Sequence, residues 1–297
     1  MTPEAMRASV TARLRTLASA DPRLALNDLL RQWVYDRLLA RVFLGDEAER
    51  WVLKGAAALL VRLGPDTRHT RDIDLFNSSG DLAEAEDALR VAAAQDLGDF
   101  MRFEVGPSAP IGEVPGTRRL KITAFLGATE FASFPVDLVT NLNMTGEPDI
   151  LGPLVRVDIP GVASVQYRVY PVMDHVADKI CAIHELHGRE DGTADASTRY
   201  RDLVDLAVLA RTTRFESGTL LAAVRSEAER RQLGLPGQLT IPTGSDWVAG
   251  YAREVKNAPA ILDRNLESAV SVVASFIDPI LAGKARGSWD PDELSWS

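Results

Sequence analysis

Two aspartates separated by a single residue, Asp72 and Asp74, are the first chemical signal in this chain of 297 residues. Residues 71–76 alternate acidic with apolar side chains, which predicts a β-strand that presents both carboxylates on one face. Two negative charges held this close repel each other, so a cation is expected beside them. Mg²⁺ suits the pair, because it takes one or two protein carboxylates, keeps several waters and bridges to phosphate oxygens.

A glycine and a third acid add to this signal. Gly55 stands just before a predicted helix over residues 56–63. A glycine lets the backbone come close to a phosphate chain, and the N–H groups of a helix start can bind that chain. Asp137 alternates with apolar neighbours on a predicted strand over residues 130–139, and we expect it to face the same point. Three carboxylates around two metal ions can activate an attacking oxygen and stabilise a leaving pyrophosphate.

A lysine and two aspartates occupy two predicted helices further along the chain. Lys179 lies in a mostly apolar helical stretch, and Asp202 and Asp205 lie within one turn of the next helix. The residues alone leave two interpretations open. The lysine and an aspartate form a structural ion pair between helices, or they belong to the same site as the paired acids.

The elements that must position these residues follow from the hydrophobic pattern. The first 50 residues read as helix, the middle is rich in strands with a helix at residues 81–95, and the chain turns helical after residue 171. The prediction is an α+β (α/β) protein, with a mixed sheet flanked by helices in residues 1–170 and a helical domain in residues 171–297.

Composition narrows the functional classes. The chain is 46% hydrophobic and 25% charged, which excludes disorder and fibre. It has no apolar run long enough to span a bilayer and no signal peptide at its start, so we expect a cytoplasmic protein without a membrane partner. The single cysteine, Cys181, cannot form an internal disulfide.

The net charge of the chain limits how it could bind a nucleic acid. A net charge of −9 disfavours nonspecific adhesion to nucleic acid, so a polyanion would have to meet a local basic patch. The basic residues near the motifs are Lys54, Arg62, Arg68, Arg71, Arg118, Arg119, Lys121, Arg199 and Arg201. Aromatic residues make up only 6% of the chain, so extensive base stacking is not indicated.

Four motifs together carry a family resemblance. They are Lys-Gly-x-x-x-Leu from Lys54, Arg-x-Thr-x-Asp-x-Asp from Arg68, Asp-Lys-Ile-x-Ala from Asp178 and Arg-Asp-Leu-x-Asp-Leu from Arg201. The order of a glycine, a helix, Asp-x-Asp and a later acid resembles the nucleotidyltransferase superfamily related to DNA polymerase beta. The full set resembles the AbiEii toxin family, which includes the MenT toxins, over about residues 50–215.

The resemblance implies an activity and partners. Residues 1–170 would hold the nucleotidyltransferase domain, and residues 171–297 the helical one. The protein would transfer a nucleoside monophosphate from a nucleoside triphosphate (NTP) to an RNA acceptor, the 3′ end of tRNA, with Mg²⁺ or alternatively Mn²⁺. This transfer would block translation, and a cognate antitoxin would restrain the protein, which we expect to be a monomer.

The resemblance also assigns roles residue by residue. Metal binding falls to Asp72, Asp74 and Asp137, and catalysis to Asp72, Asp74, Lys179 and Asp205, with Lys179 holding the triphosphate. The nucleotide-binding set is Lys54, Gly55, Ala56, Thr70, Arg71 and Lys179. One departure concerns the glycine turn, since the family often has Gly-Gly-Ser or Gly-Gly-Thr where this chain has Gly55-Ala56-Ala57. Phosphate contact at this turn would come from the backbone alone.

Two alternatives stay open at this point. The enzyme class can be kept with a protein or small-molecule hydroxyl as the acceptor. The chain can instead be an inactive module that binds RNA or a protein, a reading motivated by Ala56 and Ala57. For transfer to tRNA, Asp72→Asn, Lys179→Ala and Asp205→Ala are each expected to abolish the activity without lowering the melting temperature.

Overall fold

The structure is a computed structural model, and the described residues are 1–111, 116–185, 187–188, 194–195, 197–241, 246–256, 258 and 261–297. They form two compact units. The first unit comprises Met1–Pro65, His69–Leu142 and Pro148–Tyr170, and the second comprises Asp66–Arg68, Asn143–Glu147 and Pro171–Ser297. Two short segments from the first 170 residues therefore belong to the second unit. The functional division at residue 170 stays a prediction.

The first unit is built on a seven-stranded sheet. Its helices are α1 (Pro3–Ala20), α2 (Leu26–Leu44), α3 (Gly55–Leu63) and α4 (Leu82–Ala93). Its strands are β1 (Trp51–Lys54), β2 (Ile73–Asn77), β3 (Met101–Pro110), β4 (Thr117–Leu126), β5 (Thr129–Val139), β6 (Asp149–Leu151) and β7 (Tyr167–Val169). The strand order is β3-β4-β5-β2-β1-β7-β6, with β2 parallel to β5 and β1 parallel to β7. The other neighbours are antiparallel, so the predicted mixed sheet flanked by helices is confirmed.

The strand that carries the paired acids is shorter than its sequence pattern indicates. Ile73 and Leu75 are fully buried, as the alternation requires, and Asp74 lies between them. Asp72, however, precedes β2, so the expectation that both acids belong to the strand is wrong. The N–H of Asp72 donates to the hydroxyl oxygen of Thr70 over 3.4 Å, and the chain bends at this point.

A buried arginine ties α2 to the start of β3. The Arg41 side chain is 0% exposed and donates from two nitrogens to the carboxylate of Asp99, over 2.8 and 3.0 Å. Its remaining hydrogen bonds go to the carbonyl oxygens of Arg37, Gln95 and Met101. Each guanidinium nitrogen is thus bonded, which is the condition for holding a charge inside a core.

The second unit is mainly helical. Its helices are α5 (Val172–His184), α6 (Tyr200–Thr212), α7 (Ser217–Arg230), α8 (Trp247–Val255) and α9 (Leu266–Leu281). Its strands are β8 (His187–Gly188), β9 (Ala194–Asp195), β10 (Phe215–Glu216), β11 (Ser288–Asp290) and β12 (Ser295–Trp296). Helices predominate after residue 171, as the hydrophobic pattern predicts, but the three-stranded sheet β10-β11-β12 was not expected. It brings Phe215, Trp289 and Trp296 against Phe276, a cluster that joins segments distant in sequence.

The helices in the described ranges are short or polar relative to the apolar core of a bilayer. None of them combines the length and the apolar character needed to cross a membrane.

Candidate active site

Four charged side chains lie in one row across four neighbouring strands of the first unit. Lys54 on β1 is opposite Asp74 on β2, and Asp74 is opposite Asp137 on β5. Asp137 is in turn opposite Arg119 on β4. Directly opposed residues on neighbouring strands project from the same face of a sheet. This charged row therefore places two acids side by side, with a cation at each end.

Gly55, the first residue of α3, lies against the carboxylate of Asp74. Its φ is +61°, a backbone conformation that favours glycine. A Cβ at this position would lie 1.8 Å from Oδ2 and 2.5 Å from Cγ of Asp74. A side chain is thus excluded here by space as well as by backbone strain. The approach also brings the positive end of α3 to the middle of the charged row.

The two alanines that follow have no access to a ligand through their side chains. Ala56 is 5% exposed and Ala57 is fully buried in the core of the first unit. A hydroxyl at position 57 would be buried as well. This placement fits the expectation that any phosphate contact at the turn comes from backbone N–H groups.

Asp72 is held next to the charged row by a neighbouring hydroxyl. The side chain of Thr70, which is 4% exposed, donates a 2.7 Å hydrogen bond to Oδ1 of Asp72. Arg71 is exposed beside it. Thr70 thus orients an acid in this structure, and its contact with a nucleotide stays a prediction.

Arg119 binds both oxygens of the third acid. Its Nε and Nη2 donate to Oδ1 and Oδ2 of Asp137, each over 2.6 Å. The hydrogen bonds to Asp137 raise the pKa of Arg119, and the charges of Asp72 and Asp74 act in the same direction. The guanidinium is half exposed, whereas Asp137 is largely buried. A permanent cation therefore neutralises part of the acidic cluster from its exposed side.

Lys54, at the other end of the charged row, is largely buried. Its ammonium lies 4.6 Å from the centre of the Tyr170 ring, within the range of a cation–π interaction. Such a contact stabilises a lysine that has little access to water. The contact therefore fixes the position of the Lys54 side chain at this end of the row.

In the second unit, one aspartate forms ion pairs with two cations. Nζ of Lys179 on α5 donates to Oδ2 of Asp205 on α6 over 2.6 Å, and to Oδ1 of Asp202 over 3.0 Å. Nε and Nη2 of Arg68 donate to the two oxygens of Asp205 over 2.9 and 3.1 Å. The predicted pairing of the lysine with the aspartate is thus seen, with an arginine added to it. We call these four residues the Asp205 cluster.

Burial and charge act in opposite directions within the Asp205 cluster. Burial works to raise the pKa of Asp205, but the charges and hydrogen bonds of Lys179 and Arg68 lower it to about 2. Burial likewise works to lower the pKa of Lys179, but the charges of Asp205 and Asp202 outweigh it and raise that pKa. Asp205 and Lys179 therefore both stay ionised at neutral pH, and Asp205 contacts both Lys179 and Arg68.

The acids of the first unit have the chemistry of metal ligands. Asp72 and Asp74 offer hard carboxylate oxygens, the ligand type that Mg²⁺ prefers. Within the described part of the chain, no three acidic, histidine or cysteine side chains are arranged to hold an ion as they stand. Both oxygens of Asp137 are bonded to Arg119. The arrangement suits an ion that takes one or two protein carboxylates and completes its shell with water and phosphate.

Three residues that form ion pairs at these acids and at Lys179 were given no role from the sequence. Arg68 and Arg119 were counted only among the basic residues near the motifs, and Asp202 only as a neighbour of Asp205. A signal existed for Arg68, which stands four residues before Asp72 in the same motif. For Arg119 the signal is the register between β4 and β5, which alternation alone does not fix.

The mixed sheet carries a glycine-led helix, an Asp-x-Asp pair and a third acid on the adjacent strand, which are the features by which the sequence resembles a nucleotidyltransferase. Residues 37–269 match the family described as nucleotidyl transferase AbiEii toxin, type IV TA (toxin–antitoxin) system, and the chain belongs to this family. The resemblance drawn from the four motifs is thereby confirmed, and so is the enzyme class.

A solved structure supports the fold. MenT4, a nucleotidyltransferase toxin from Mycobacterium tuberculosis H37Rv, is similar to this chain with a TM-score of 0.52 and 16% sequence identity. The match covers 93% of this chain and 99% of MenT4. At this identity the likeness concerns the fold. The search of curated proteins found no match.

Proposed function

We propose that the protein transfers a nucleoside monophosphate from an NTP to the 3′ end of tRNA and thereby blocks translation. The observation that carries the proposal is the charged row, in which Asp74 and Asp137 stand side by side between Lys54 and Arg119. Two adjacent acids beside a helix start are suited to a polyphosphate with its divalent cation.

In this proposal the acids of the first unit hold the cation. Asp72 and Asp74 would bind Mg²⁺, or alternatively Mn²⁺, and Asp137 would take the third-acid position while keeping Arg119. When bound, the ion offsets phosphate charge and aligns the α-phosphate. Gly55, with the N–H groups that follow it, would bind phosphate oxygens.

The second unit would supply positive charge for the triphosphate. Lys179 and Arg68 are the cations, and Asp205 is the positioning residue that fixes both of them. A cation held rigidly before the substrate arrives costs little reorganisation during the reaction. Thr70 would act by orienting Asp72, and Arg71, Lys54 and Ala56 complete the proposed nucleotide-binding set.

The reaction itself is a single displacement. The 3′ oxygen of the RNA forms a bond to the α-phosphorus, and the bond from that phosphorus to the oxygen bridging to the β-phosphate breaks. Pyrophosphate leaves, and the hydroxyl proton is released to solvent. The chain contributes alignment and charge, which supply most of the rate acceleration in phosphoryl transfer.

The proposed partners follow from the family. The acceptor would meet the basic side chains near the motifs, because the net charge of −9 repels RNA elsewhere. An antitoxin encoded beside the gene would restrain the protein. We propose a monomer located in the cytoplasm, where NTP and tRNA are found.

The decisive assay follows label from an α-labelled NTP into tRNA. Each of the four NTPs is offered with Mg²⁺, and pools of tRNA, total protein and aminoglycoside are tested separately. The wild-type chain is expected to label tRNA, and Asp74→Asn is expected to abolish the transfer. Asp87→Asn changes an exposed acid on α4 and is the matched control, with activity unchanged.

Three outcomes would contradict the proposal. Label in the protein or aminoglycoside pool would mean that the acceptor is not tRNA, although the protein would still be a nucleotidyltransferase. Full activity of Asp74→Asn would remove the charged row from the mechanism. No transfer to any pool, together with no Mg²⁺-dependent NTP binding by calorimetry, would favour an inactive binding module.

A further inference from the structure

A groove of about 660 Å³ lies in the first unit between α4 and the chain that follows α2. One wall is a single face of α4, because Glu84, Ala88 and Val91 stand at a helical spacing of four and three residues. Residues 45–47, just after α2, also line it. The volume is enough for a few side chains of a partner.

Most of the accessible lining of this groove is apolar. Val42 and Trp51 line it as buried side chains, whereas Ala88 is half-buried and Val91 is 68% exposed. A single exposed valine is ordinary on a protein surface. One that adjoins a mainly apolar groove, however, gives the apolar side chain of a partner a surface to pack against.

Four acids line the groove together with these apolar side chains. Asp46, Glu47, Glu84 and Asp87 are all exposed. Arg50 pairs with Glu84 over 2.5 Å and with Glu47 over 3.5 Å, and all three of these side chains are about half exposed. Within the described residues, Asp46 and Asp87 form no ion pair. The groove therefore carries a net negative charge.

The sign of this charge decides which occupant fits. RNA and NTP are negative as well and would be repelled, and a second copy of this chain brings its own net charge of −9. A peptide segment with cations on both sides of an apolar side chain would complement the acids and the apolar lining together. We propose that this groove docks a basic segment of a protein partner, in which an apolar side chain lies between lysines or arginines.

The groove lies on the face of the sheet opposite the charged row. Trp51, which lines the groove, and Lys54, which belongs to the row, stand three residues apart on β1. Side chains at an odd separation project from opposite faces of a strand. A partner in the groove would therefore leave the charged row uncovered. The docking is thus separate from the proposed transfer, and neither requires the other.

The experiment titrates the full-length protein, labelled at its valine methyl groups, with four peptides and follows the methyl resonances by NMR. Each peptide has the form Lys-Arg-Lys-x-x-Lys-Arg-Lys, where x-x is Leu-Leu, Ile-Ile, Phe-Phe or Ser-Ser. The Ser-Ser peptide carries the same charge as the others and measures attraction by charge alone. Each peptide is added up to about 2 mM, which nearly saturates a site with a Kd of about 0.2 mM.

The expected result is a saturable shift of the Val91 methyl resonances with at least one of the apolar peptides. The Ser-Ser peptide should bind at least about fivefold more weakly, because it buries no apolar side chain. The Val91 resonances are identified by their loss in Val91→Ile. Val248, which is 70% exposed on α8 of the second unit, is the matched reference, and its resonances should stay in place.

Two double variants remove the same charge from different places. Asp46→Asn with Glu47→Gln removes two acids from the groove and should raise the Kd of the best peptide about fivefold. Asp292→Asn with Glu293→Gln removes an exposed pair of acids from the second unit and is the matched control, with a change in Kd of less than about twofold. All four acids are exposed, so the substitutions should leave the fold intact.

Three results would overturn the inference. Val91 resonances that stay in place with every apolar peptide would mean that the groove takes no such segment. Equal affinity for the Ser-Ser peptide would mean attraction by charge without a place for an apolar side chain. An equal loss of affinity in the two double variants would mean that the peptides respond to the net charge of the chain and not to this groove.

Discussion

Replacing Asp205 by asparagine tests the buried charges of the Asp205 cluster in the second unit. Asp205 is 0% exposed and is shared by Lys179 and Arg68, whose side chains are 6% and 17% exposed. The substitution keeps the size of the side chain and removes its charge. Lys179 would then keep only Asp202, and Arg68 would lose the carboxylate that binds it.

The size of the expected loss in unfolding free energy follows from the burial of these charges. Removing one partner of a buried ion pair costs about 3–5 kcal/mol, because the remaining charge is left uncompensated. Since Asp202 remains for Lys179, we expect the lower end, about 3 kcal/mol of unfolding free energy. From the sequence, substitutions at Asp205 and Lys179 were expected to leave the melting temperature unchanged. From the structure, we expect them to lower it.

The effect also has a defined pH dependence. The pKa of Asp205 lies at about 2 instead of its ordinary 3.8. At about 1.4 kcal/mol for each pKa unit, this corresponds to about 2.5 kcal/mol of stability. Because the pKa is lowered by folding, this stability is fully present well above pH 4 and is lost as the pH falls towards 2. The difference between wild type and variant should therefore narrow by about 1 kcal/mol between pH 6 and pH 3.

Urea unfolding at a series of pH values measures both quantities. Glu229→Gln, which changes an exposed acid on α7, is the matched control and should stay within about 0.5 kcal/mol of wild type. The reasoning is refuted if Asp205→Asn loses less than about 1 kcal/mol at pH 7, or if the difference from wild type is the same at pH 3. Either result would mean that water reaches the Asp205 cluster freely.

Three further predictions concern the first unit. Gly55→Ala should lower the free energy of unfolding by about 1–2 kcal/mol because of the φ of +61° alone. The added Cβ should also displace the carboxylate of Asp74 and so reduce nucleotide transfer. Wild-type transfer activity of this variant would contradict the prediction. Arg119→Gln removes a positive charge beside the acids and should tighten Mn²⁺ binding about tenfold in calorimetry. Because the arginine is half exposed, the free energy of unfolding should change by less than about 1 kcal/mol. An unchanged Mn²⁺ affinity would argue against the pairing with Asp137. Asp99→Ala leaves the buried guanidinium of Arg41 without its partner and should cost about 3–5 kcal/mol in urea unfolding, whereas a loss below about 1 kcal/mol would show that the pair is hydrated.

The sequence alone determined the features that depend on local spacing. The glycine before a helix, the two aspartates separated by one residue and the four motifs are set by covalent neighbours and by the periods of helix and strand. They were enough to predict the enzyme family and the mixed sheet. Local spacing did not fix the strand ends, since the chain bends at Asp72 and the strand begins only at Ile73.

Only the tertiary structure decided which distant residues meet. That Asp137 lies opposite both Asp74 and Arg119 depends on the order and register of three strands, and a slip of one residue would turn each side chain to the other face. That Arg68 joins Lys179 at Asp205 depends on helix packing across more than a hundred residues of chain. These contacts are selected by the burial of the whole core and by the pairing of buried charges, which no short stretch of sequence contains.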